Sequence, residues 1–392
     1  MMKKQTILIV HNYYQIPGGE DTVVANEKRL LEEHGHKVIL YSRSNAELDG
    51  LSVFQKCILP IVTVFNLRTY REIRKIIKNE KIEIVHVHNT LSLISPSVYY
   101  ATLSMNIPII QTIHNFRLLC PGATFYRNGH ICEDCISKGL KCSLIHNCYR
   151  SSKLQTFVCA INTKFHRMTG IYGKINYICL TKFNKDKLLS LNQSKRKQIF
   201  DPNKIYIKAN FAYEVQQPTQ KQDNEYYLFI GRIEKIKGLD ILLEAFSKLP
   251  MLKLIIIGGG PLLDDYKDSV PDNIQFIGQL DRYKIANYLY KAKALIVTSQ
   301  VYETFGMVIV EAYSAYTPVI AGNIENIASL IDDGRTGIRF KYNSASALKS
   351  AIERFERLDT SNWNENAYRK YINEFSPDSN YHILKKIYDD LQ

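Results

Sequence analysis

The strongest constraint on the fold is an alternation of short apolar segments with segments of helical periodicity, which runs along the chain twice. The same rhythm restarts after a polar, Lys- and Gln-rich stretch at residues 192–224. Such alternation predicts parallel strands that are joined by crossover helices and covered on both faces. The predicted strands are Ile7–Val10, Val38–Tyr41, Ile84–Val87, Pro108–Ile113 and Tyr177–Leu180, then Tyr226–Ile230, Leu252–Ile257, Ile274–Ile277, Ala294–Val297 and Pro318–Ala321.

Two Rossmann-like domains follow from this repetition and from the length of 392 residues, which exceeds the usual size of a single core. We place the first domain at residues 1–200 and the second at residues 201–376. The boundary and hinge lie within 195–222, which contains the short predicted strand Ile205–Ile207. The last segment, 377–392, is predicted to be a helix that packs back on the first domain.

Charge is distributed unevenly over the chain, whose formal net charge is +13. Residues 1–200 hold 28 Lys/Arg and 13 Asp/Glu, a balance of +15, whereas the remainder has a balance of −2. The basic half therefore suits an anionic partner, for which nucleic acid, an acidic membrane surface and a phosphorylated lipid are the alternatives. No apolar run is long enough to span a membrane, and we expect a cytosolic protein.

Polar and glycine-rich segments follow the predicted strands, at the edge where open α/β sheets bind ligands. These segments contain Gly18-Gly19, His114, Gly231-Arg232, Gly258-Gly259-Gly260 and Glu303. After Glu303 a helix is predicted to begin near Gly306, and its free N–H groups suit a phosphate. Glu303 and Glu311, with seven residues between them, can accept hydrogen bonds from sugar hydroxyls. The combination suits a nucleotide-sugar.

Each of these features also has a simpler interpretation. Carboxylates on a helical segment are usually a solvated face, and an Arg–Lys pair is usually surface; their place at strand ends favours the site. His114 could be a buried histidine with both ring nitrogens satisfied. The three glycines at 258–260 could form a turn or a nicotinamide-cofactor loop, although Leu263 interrupts the G-x-G-x-x-G pattern of such a loop.

Taken together, the motifs resemble glycosyltransferase family 4, whose members are retaining enzymes with the GT-B fold. The resemblance covers nearly the whole chain. It rests on the Glu303–Glu311 element, the stretch 231–238, the turn at 258–261 and the early Gly18-Gly19 loop. It implies two Rossmann-like domains that face each other across a cleft, with the donor bound by the second domain and the acceptor by the first. It also implies retention of configuration at the anomeric carbon.

The family's site residues have counterparts in this sequence. By resemblance, Arg232 and Lys237 neutralise the departing diphosphate, Glu311 binds the ribose and Glu303 lies near the donor sugar. His114 is expected to contact the sugar from the first domain. The remaining donor-binding positions implied by the resemblance are Gly18, Gly19, Gly231, Gly259, Gln279, Leu280, Phe305, Gly306 and Met307, most of them acting through the backbone.

One position departs from the family. Tyr316 stands where the family usually has a glycine that ends a helix in the left-handed conformation, which tyrosine adopts at a cost. The sequence also contains no Asp-x-Asp. We therefore expect no metal cofactor for catalysis.

A cysteine-rich insert at residues 116–150 is expected in the first domain. Its C-x2-C pair and two further thiols, Cys120, Cys132, Cys135 and Cys148, have the ligand count of a structural zinc site, and a bacterial subset of family 4 has counterparts of all four. Cys142 could replace one ligand. The alternative is a loop of reduced thiols. A nucleic-acid-binding zinc ribbon is disfavoured because the insert directly follows His114.

A basic helix face is predicted at Leu67–Asn79, where Leu67, Tyr70, Ile73 and Ile77 form an apolar stripe. The basic residues on its other face are Arg71, Arg74, Lys75 and Lys78, and a second amphipathic segment carries Lys164, His166, Arg167 and Lys174. This surface could dock on an anionic membrane or on the diphosphate of an acceptor, or it could be a solvated basic face. The domain's charge favours the membrane.

The sequence thus predicts an enzyme that transfers a sugar from a nucleotide-sugar to a hydroxyl, on a saccharide or lipid-linked oligosaccharide acceptor for bacterial capsule or O-antigen. We expect it in the cytoplasm, peripheral on the inner face of the cell membrane and without a nucleic-acid partner. The alternatives are a sugar-nucleotide 2-epimerase on the same fold and a catalytically silent binding partner.

Overall fold

A computed structural model describes residues 4–16, 18–214, 225–267 and 269–392. The chain divides into two compact units. Unit 1 contains residues 1–125, 132–210 and 380–392, and unit 2 contains residues 126–131 and 211–379. The expected hinge at 195–222 includes residues 215–222, which lie outside the described part of the chain.

The strands and helices agree closely with the predicted alternation. The strands are β1 (Thr6–Tyr13), β2 (Lys37–Ser44), β3 (Ile84–Asn89), β4 (Ile109–Ile113), β5 (Tyr126–Arg127), β6 (His130–Ile131), β7 (Asn176–Cys179), β8 (Ile205–Ile207), β9 (Tyr226–Ile230), β10 (Leu254–Ile257), β11 (Ile274–Gly278), β12 (Ala292–Val297), β13 (Val319–Gly322) and β14 (Gly337–Phe340). The α-helices are α1 (Gly19–Glu33), α2 (Val53–Val64), α3 (Leu67–Glu80), α4 (Ser97–Leu103), α5 (Asp134–Ser137), α6 (Lys141–Ile145), α7 (Lys153–Met168), α8 (Lys182–Lys195), α9 (Leu239–Ser247), α10 (Leu263–Tyr266), α11 (Arg282–Lys291), α12 (Met307–Ser314), α13 (Glu325–Ser329), α14 (Ala345–Arg357), α15 (Trp363–Lys370) and α16 (Pro377–Asp390).

Unit 1 is built on a six-stranded sheet with the order β2-β1-β3-β4-β7-β8. Its strand pairs are parallel. Consecutive residues of its central strands are buried, as in Ile7–Val10, because helices cover both faces of a parallel sheet. The strand order reverses between β1 and β3, which creates the switch point where such sheets bind ligands.

Unit 2 repeats this arrangement with the order β11-β10-β9-β12-β13-β14 and parallel pairing. Its switch point lies between β9 and β12. The antiparallel hairpin β5–β6 comes from the cysteine-rich insert yet groups with unit 2. Helix α16 groups with unit 1 from Asn380 onward.

Tyr316 lies just after α12 in the left-handed conformation, with φ at 59°. Its ring stacks on Tyr368 with centroids 3.9 Å apart, and Tyr368 donates a hydrogen bond to Glu214 at 2.6 Å. Aromatic stacking contributes about 0.5–1.5 kcal/mol, which offsets the cost of a left-handed non-glycine residue, about 1–2 kcal/mol. The helix end is therefore retained without glycine.

The structure differs from the predicted basic surface in two respects, one on α3 and one on α7. Ile73 and Ile77 of α3 are buried as expected, but Leu67, which was placed in the same apolar stripe, is 59% exposed. His166 is fully buried in α7, because its ring is hydrogen-bonded to Tyr100 and to the carbonyl of Val64. His166 is therefore not part of a basic surface.

Within the described residues, none of the helices combines the length and the apolar character that a membrane span requires.

Candidate functional site

In unit 2, the loops that follow β9 and β12 meet at the switch point. The hydroxyl of Thr298 donates to the carbonyl of Lys237 at 2.7 Å, and the N–H of Gln300 donates to the carbonyl of Ile236 at 2.8 Å. Gly238 makes this approach possible. Its φ is 72°, and a Cβ on it would lie 2.1 Å from the carbonyl oxygen of Thr298.

This approach brings two predicted site residues together. The ammonium of Lys237 donates to Oε1 of Glu303, and the same oxygen accepts a hydrogen bond from Ser299. Burial by itself raises the pKa of Glu303, but the charge of Lys237 and these hydrogen bonds hold the pKa below its ordinary value. Glu303 is therefore an ionised carboxylate that orients a lysine at the edge of the sheet.

The glycine turn after β10 packs against the loop after β9. A Cβ on Gly258 would lie 1.9 Å from the carbonyl oxygen of Gly231, and a Cβ on Gly260 would lie 2.5 Å from that of Ile233. The carbonyl of Gly259 accepts a hydrogen bond from Ile233 at 3.0 Å. The glycines therefore allow two backbones to pack directly on each other. The side chain of Gln279 lies beside them, 3.5 Å from a Cβ built on Gly259.

Helix α12 begins at Met307 with Gly306 as its N-cap, at a φ of 99°. A Cβ on Gly306 would lie 2.8 Å from Cδ1 of Ile327, so the helix start is close-packed. Phe305 is 2% exposed and serves the core with its side chain. The first turn of a helix has N–H groups without an intrahelical acceptor, and these are suited to an anion.

Glu311 lies in α12 and differs electrostatically from Glu303. Burial raises the pKa of Glu311, and the guanidinium of Arg282, 3.6 Å away, opposes this shift only partly. Arg282, in the first turn of α11, was missed by sequence reasoning. The signal that could have found it is its place three residues after Gln279, a position that the family resemblance assigns to donor binding.

Arg232 is half-exposed after β9, and its guanidinium lies 3.6 Å from a carboxylate oxygen of Glu234. Leu280 follows β11 in the same loop as Gln279. Glu303, Lys237, Gly306 and Arg232 thus all occupy loops at the carboxyl edge of the unit 2 sheet, although the described contacts join only Lys237 and Glu303.

In unit 1, Gly18 is the N-cap of α1 and Gly19 its first residue. The φ of Gly18 is −134°, and a Cβ on it would meet no atom of the described residues within 4 Å, so its backbone conformation does not require glycine. The N–H of Gly18 donates to Asp21 at 2.9 Å.

His114 follows β4 and packs against His88 of β3. Its Nε2 lies 2.9 Å from Nδ1 of His88, and the rings stack with centroids 5.2 Å apart. Burial lowers the pKa of His114 to about 3, so the ring is neutral at physiological pH.

Sequence reasoning also missed a buried carboxyl group beside the Gly18-Gly19 loop. Oε2 of Glu20 accepts a hydrogen bond from Tyr14 at 2.8 Å, and Oε1 lies 4.0 Å from Nδ1 of His11. Burial, which outweighs the hydrogen bond from Tyr14, raises the pKa of Glu20 to about 8. Nothing in the local pattern of α1 distinguishes this carboxyl from a solvated one.

The cysteine-rich insert brings several thiols near one another. A hydrogen bond from Cys135 lowers the pKa of Cys120 to about 6, whereas the same hydrogen bond, burial and the nearby Cys120, Cys148 and Cys142 raise the pKa of Cys135. Among the described residues, the one group of three or more potential ligands with mutual distances within 4.8 Å is Glu27, His86 and His88. The cysteine sulfurs are therefore gathered without forming such a group.

Two family models match the chain. Residues 212–370 match the model described as Glycosyl transferases group 1, and residues 17–130 match the model described as Glycosyltransferase Family 4. The first covers most of unit 2, and the second covers the part of unit 1 that contains α1, β3 and β4.

Similar proteins extend over nearly the whole chain. An alpha-monoglucosyldiacylglycerol synthase of Streptococcus pneumoniae is 25% identical, over 95% of this chain and 82% of its own length. An uncharacterised 41.2 kDa protein in the cps region of Klebsiella pneumoniae is 22% identical over 91% of each chain.

Solved structures share the fold at lower identity. A glycosyltransferase from Rickettsia africae aligns with a TM-score of 0.70 at 20% identity, covering 100% of this chain and 99% of its own. Anabaena Alr3699/HepE, solved in complex with UDP and glucose, aligns with a TM-score of 0.64 at 15% identity over 99% of each chain.

Replacing Lys237 by Met should make stability depend on pH in a defined direction. Without the ammonium, burial raises the pKa of Glu303 above its unfolded value of about 4.3, so above that raised pKa the variant should lose about 1–3 kcal/mol of stability. Because protonation of Glu303 removes the uncompensated charge, this loss should shrink as the pH falls through the raised pKa towards the unfolded value.

Urea unfolding of both proteins between about pH 4 and pH 7.5 checks this. Lys235→Met, an exposed lysine of the same turn, is the matched control and should change stability little at any pH. An equal loss for Lys237→Met across the whole range would contradict the assigned ion pair.

Proposed function

This chain is a family 4 glycosyltransferase of the GT-B fold, and from that premise we propose that it moves a sugar, with retention, from a nucleotide-sugar to a hydroxyl of a lipid acceptor at an anionic membrane surface. The observation that carries the proposal is the Lys237–Glu303 pair at the unit 2 switch point. A fixed cation there suits the charge that develops on a departing diphosphate.

Binding of the donor would use the loops of unit 2. The N–H groups at the start of α12 donate hydrogen bonds to the diphosphate, Lys237 and Arg232 add positive charge, and Glu311 accepts hydrogen bonds from ribose hydroxyls. The raised pKa of Glu311 suits a group that meets neutral hydroxyls rather than a second cation. HepE, whose structure contains UDP and glucose, supports a uridine nucleotide as the first donor to test.

In the chemical step, the bond between the anomeric carbon and the β-phosphate oxygen breaks while the acceptor oxygen bonds to the same face of that carbon. The electron pair of the broken bond stays on the diphosphate, and the acceptor proton passes to a departing phosphate oxygen. Lys237 and Arg232 stabilise the negative charge. Glu303 is engaged by Lys237 and Ser299, which disfavours a role as nucleophile, and no protein nucleophile is assigned.

The test is to incubate the purified chain with several UDP- and GDP-sugars and a lipid acceptor, and to follow the anomeric signals by NMR. Lys237→Ala should reduce transfer about 10²-fold or more, and Lys235→Ala should not. Undiminished transfer by Lys237→Ala would contradict the site. Epimerised donor formed without any acceptor would establish the 2-epimerase instead, and donor binding without turnover would establish the silent partner.

A lipid acceptor is supported by the S. pneumoniae relative, whose name gives diacylglycerol as part of its product. It is also supported by a surface of unit 1, the α2–α7 surface, formed by two helices that pack together. This surface exposes nine apolar side chains to solvent, namely Val53, Phe54, Ile58, Ile61, Leu154, Phe157, Ile161, Phe165 and Met168.

Basic side chains lie around the apolar residues of this surface. Lys56 on α2 and Lys153 and Lys164 on α7 are exposed, and the basic residues of α3 follow directly in the chain. Helices that present apolar side chains beside lysines and arginines bind the interface of anionic bilayers. The α2–α7 surface would therefore place unit 1 on the cytoplasmic face of the cell membrane, next to a lipid acceptor.

Vesicle sedimentation tests this surface. We expect the chain to bind vesicles with about 30% anionic lipid at low salt and more weakly at moderate salt. Phe54→Ser combined with Phe157→Ser should weaken binding about tenfold or more, because burying one such side chain contributes about 1.5–3 kcal/mol. Met251→Ser, at a 93% exposed site of unit 2, is the control and should bind normally. Equal binding by all three proteins, or none by the wild type, would contradict the proposal.

The pathway is a further part of the proposal. The Klebsiella relative lies in a cps region, which supports a role in surface polysaccharide assembly and a lipid-linked oligosaccharide as acceptor. Diacylglycerol and a lipid-linked saccharide should be compared as acceptors in the transfer assay, since both present a hydroxyl at a membrane surface.

We also propose a structural zinc ion in the insert. The lowered pKa of Cys120 and the proximity of Cys135, Cys142 and Cys148 suit thiolate ligands, and they favour Cys142 over Cys132 as the fourth. We expect about one zinc per chain by elemental analysis, loss of zinc on Cys142→Ser and retention on Cys132→Ser. Retention of zinc on Cys142→Ser and its loss on Cys132→Ser would instead identify Cys132 as the fourth ligand. Absence of zinc from the wild-type protein would refute the site.

A further inference from the structure

A buried charge cluster lies behind His114 in unit 1. Its centre is Glu27 of α1, which is fully buried, with Oε1 2.8 Å from Nδ1 of His86 and Oε2 3.3 Å from the ammonium of Lys208. Burial by itself raises the pKa of Glu27, but the charges of His86 and Lys208 hold it well below its ordinary value. A carboxylate is therefore ionised inside the unit.

The spacing of Glu27, His86 and His88 resembles a metal site, but the surrounding groups oppose one. The ammonium of Lys208 already compensates the carboxylate. The ring of His86 is committed as well, because Nδ1 lies 2.7 Å from the hydroxyl of Tyr388 and Nε2 lies 2.7 Å from that of Thr112. The cluster is therefore a charge network.

The network determines where the proton of His88 lies. Burial lowers the pKa of His88 well below its ordinary value, so the ring is neutral and carries one proton. Its Nε2 has no hydrogen-bond partner among the described residues and lies 3.6 Å from Oε1 of Glu27. A bare nitrogen there would repel the carboxylate, whereas an N–H is attracted to it. The proton therefore lies on Nε2, and Nδ1 is the acceptor.

The contact with His88 also fixes the position of the proton on His114. Its Nε2 faces Nδ1 of His88 at 2.9 Å, and two bare nitrogens cannot form a hydrogen bond. His114 is also neutral, so its single proton lies on Nε2. Its Nδ1 can then accept a hydrogen bond but cannot donate one.

We propose that Glu27 is a positioning residue that, through His88, fixes His114 in the Nε2–H tautomer, in which Nδ1 is chemically suited to accept a hydrogen bond from a sugar hydroxyl. The role of His114 towards the sugar rests on the proposed function. The tautomer itself rests only on the buried network. The reversed arrangement of both rings would keep their mutual hydrogen bond but would point a lone pair of His88 at the carboxylate.

The wild-type tautomers can be measured directly on the full chain labelled with ¹⁵N-histidine. Two-bond ¹H–¹⁵N correlation spectra near neutral pH distinguish the two neutral tautomers and the imidazolium, and the spectra of His88→Gln and His114→Gln assign the signals. We expect Nε2–H for both rings. An Nδ1–H ring or an imidazolium at either position would overturn the proposal.

Removing the charge gives the second test. In Glu27→Gln the preference disappears, so the His88 and His114 signals should shift towards the Nδ1–H tautomer, and kcat should fall about tenfold with a smaller change in KM for the donor. Glu32→Gln, an exposed glutamate of the same helix, is the matched control. Unshifted signals in a folded Glu27→Gln protein would overturn the proposal.

Glu27→Gln leaves the ammonium of Lys208 uncompensated and could prevent folding. In that case the double variant Glu27→Gln/Lys208→Met is measured instead. The NMR spectra report the tautomers whether or not the protein transfers a sugar. Absence of sugar transfer would therefore count against the proposed function and not against this assignment.

Discussion

Parallel pairing within each sheet is the constraint on which the rest of the structure depends. Since neighbouring strands of each six-stranded sheet run in the same direction, every strand of that sheet is followed by a loop at the same edge. Residues distant in the chain, such as Lys237 after β9 and Glu303 after β12, meet there because their strands are neighbours. Glycine completes the arrangement by allowing loop backbones to touch, as Gly238 does at Thr298.

Glu303 and Glu311 are the same residue type, but their tertiary surroundings give them different pKa shifts. Lys237 and Ser299 hold Glu303 as a carboxylate with a lowered pKa, whereas burial raises the pKa of Glu311. The first organises a cation at the proposed phosphate site. Glu311 has Arg282 nearby, at 3.6 Å, and its carboxyl group is suited to hydrogen bonds with hydroxyls. An acid–base pair is not what this geometry favours.

In unit 1 several ionisable groups lie in the interior, and their hydrogen bonds and ion pairs connect segments that are far apart in sequence. Glu27 of α1 pairs with Lys208 after β8, and Lys208 also donates to Asn380 of α16 at 2.9 Å. The hydroxyl groups of Tyr381 and Tyr388 contact His36 and His86. Buried polar groups require such partners, so α16 contributes both apolar and polar contacts to unit 1.

The sequence by itself determined most strands of the two sheets, the loops at their ends and the helix after Glu303, because hydrophobic periodicity and glycine placement are local signals. It did not indicate α2, which carries Pro60 and apolar residues around most of its surface, or the burial of His166. Only the tertiary structure decided that Glu27, His88 and His114 form one network and that Arg282 lies beside Glu311. Charge pairing and desolvation act through space, between residues whose local patterns carry no mark of the partner they meet.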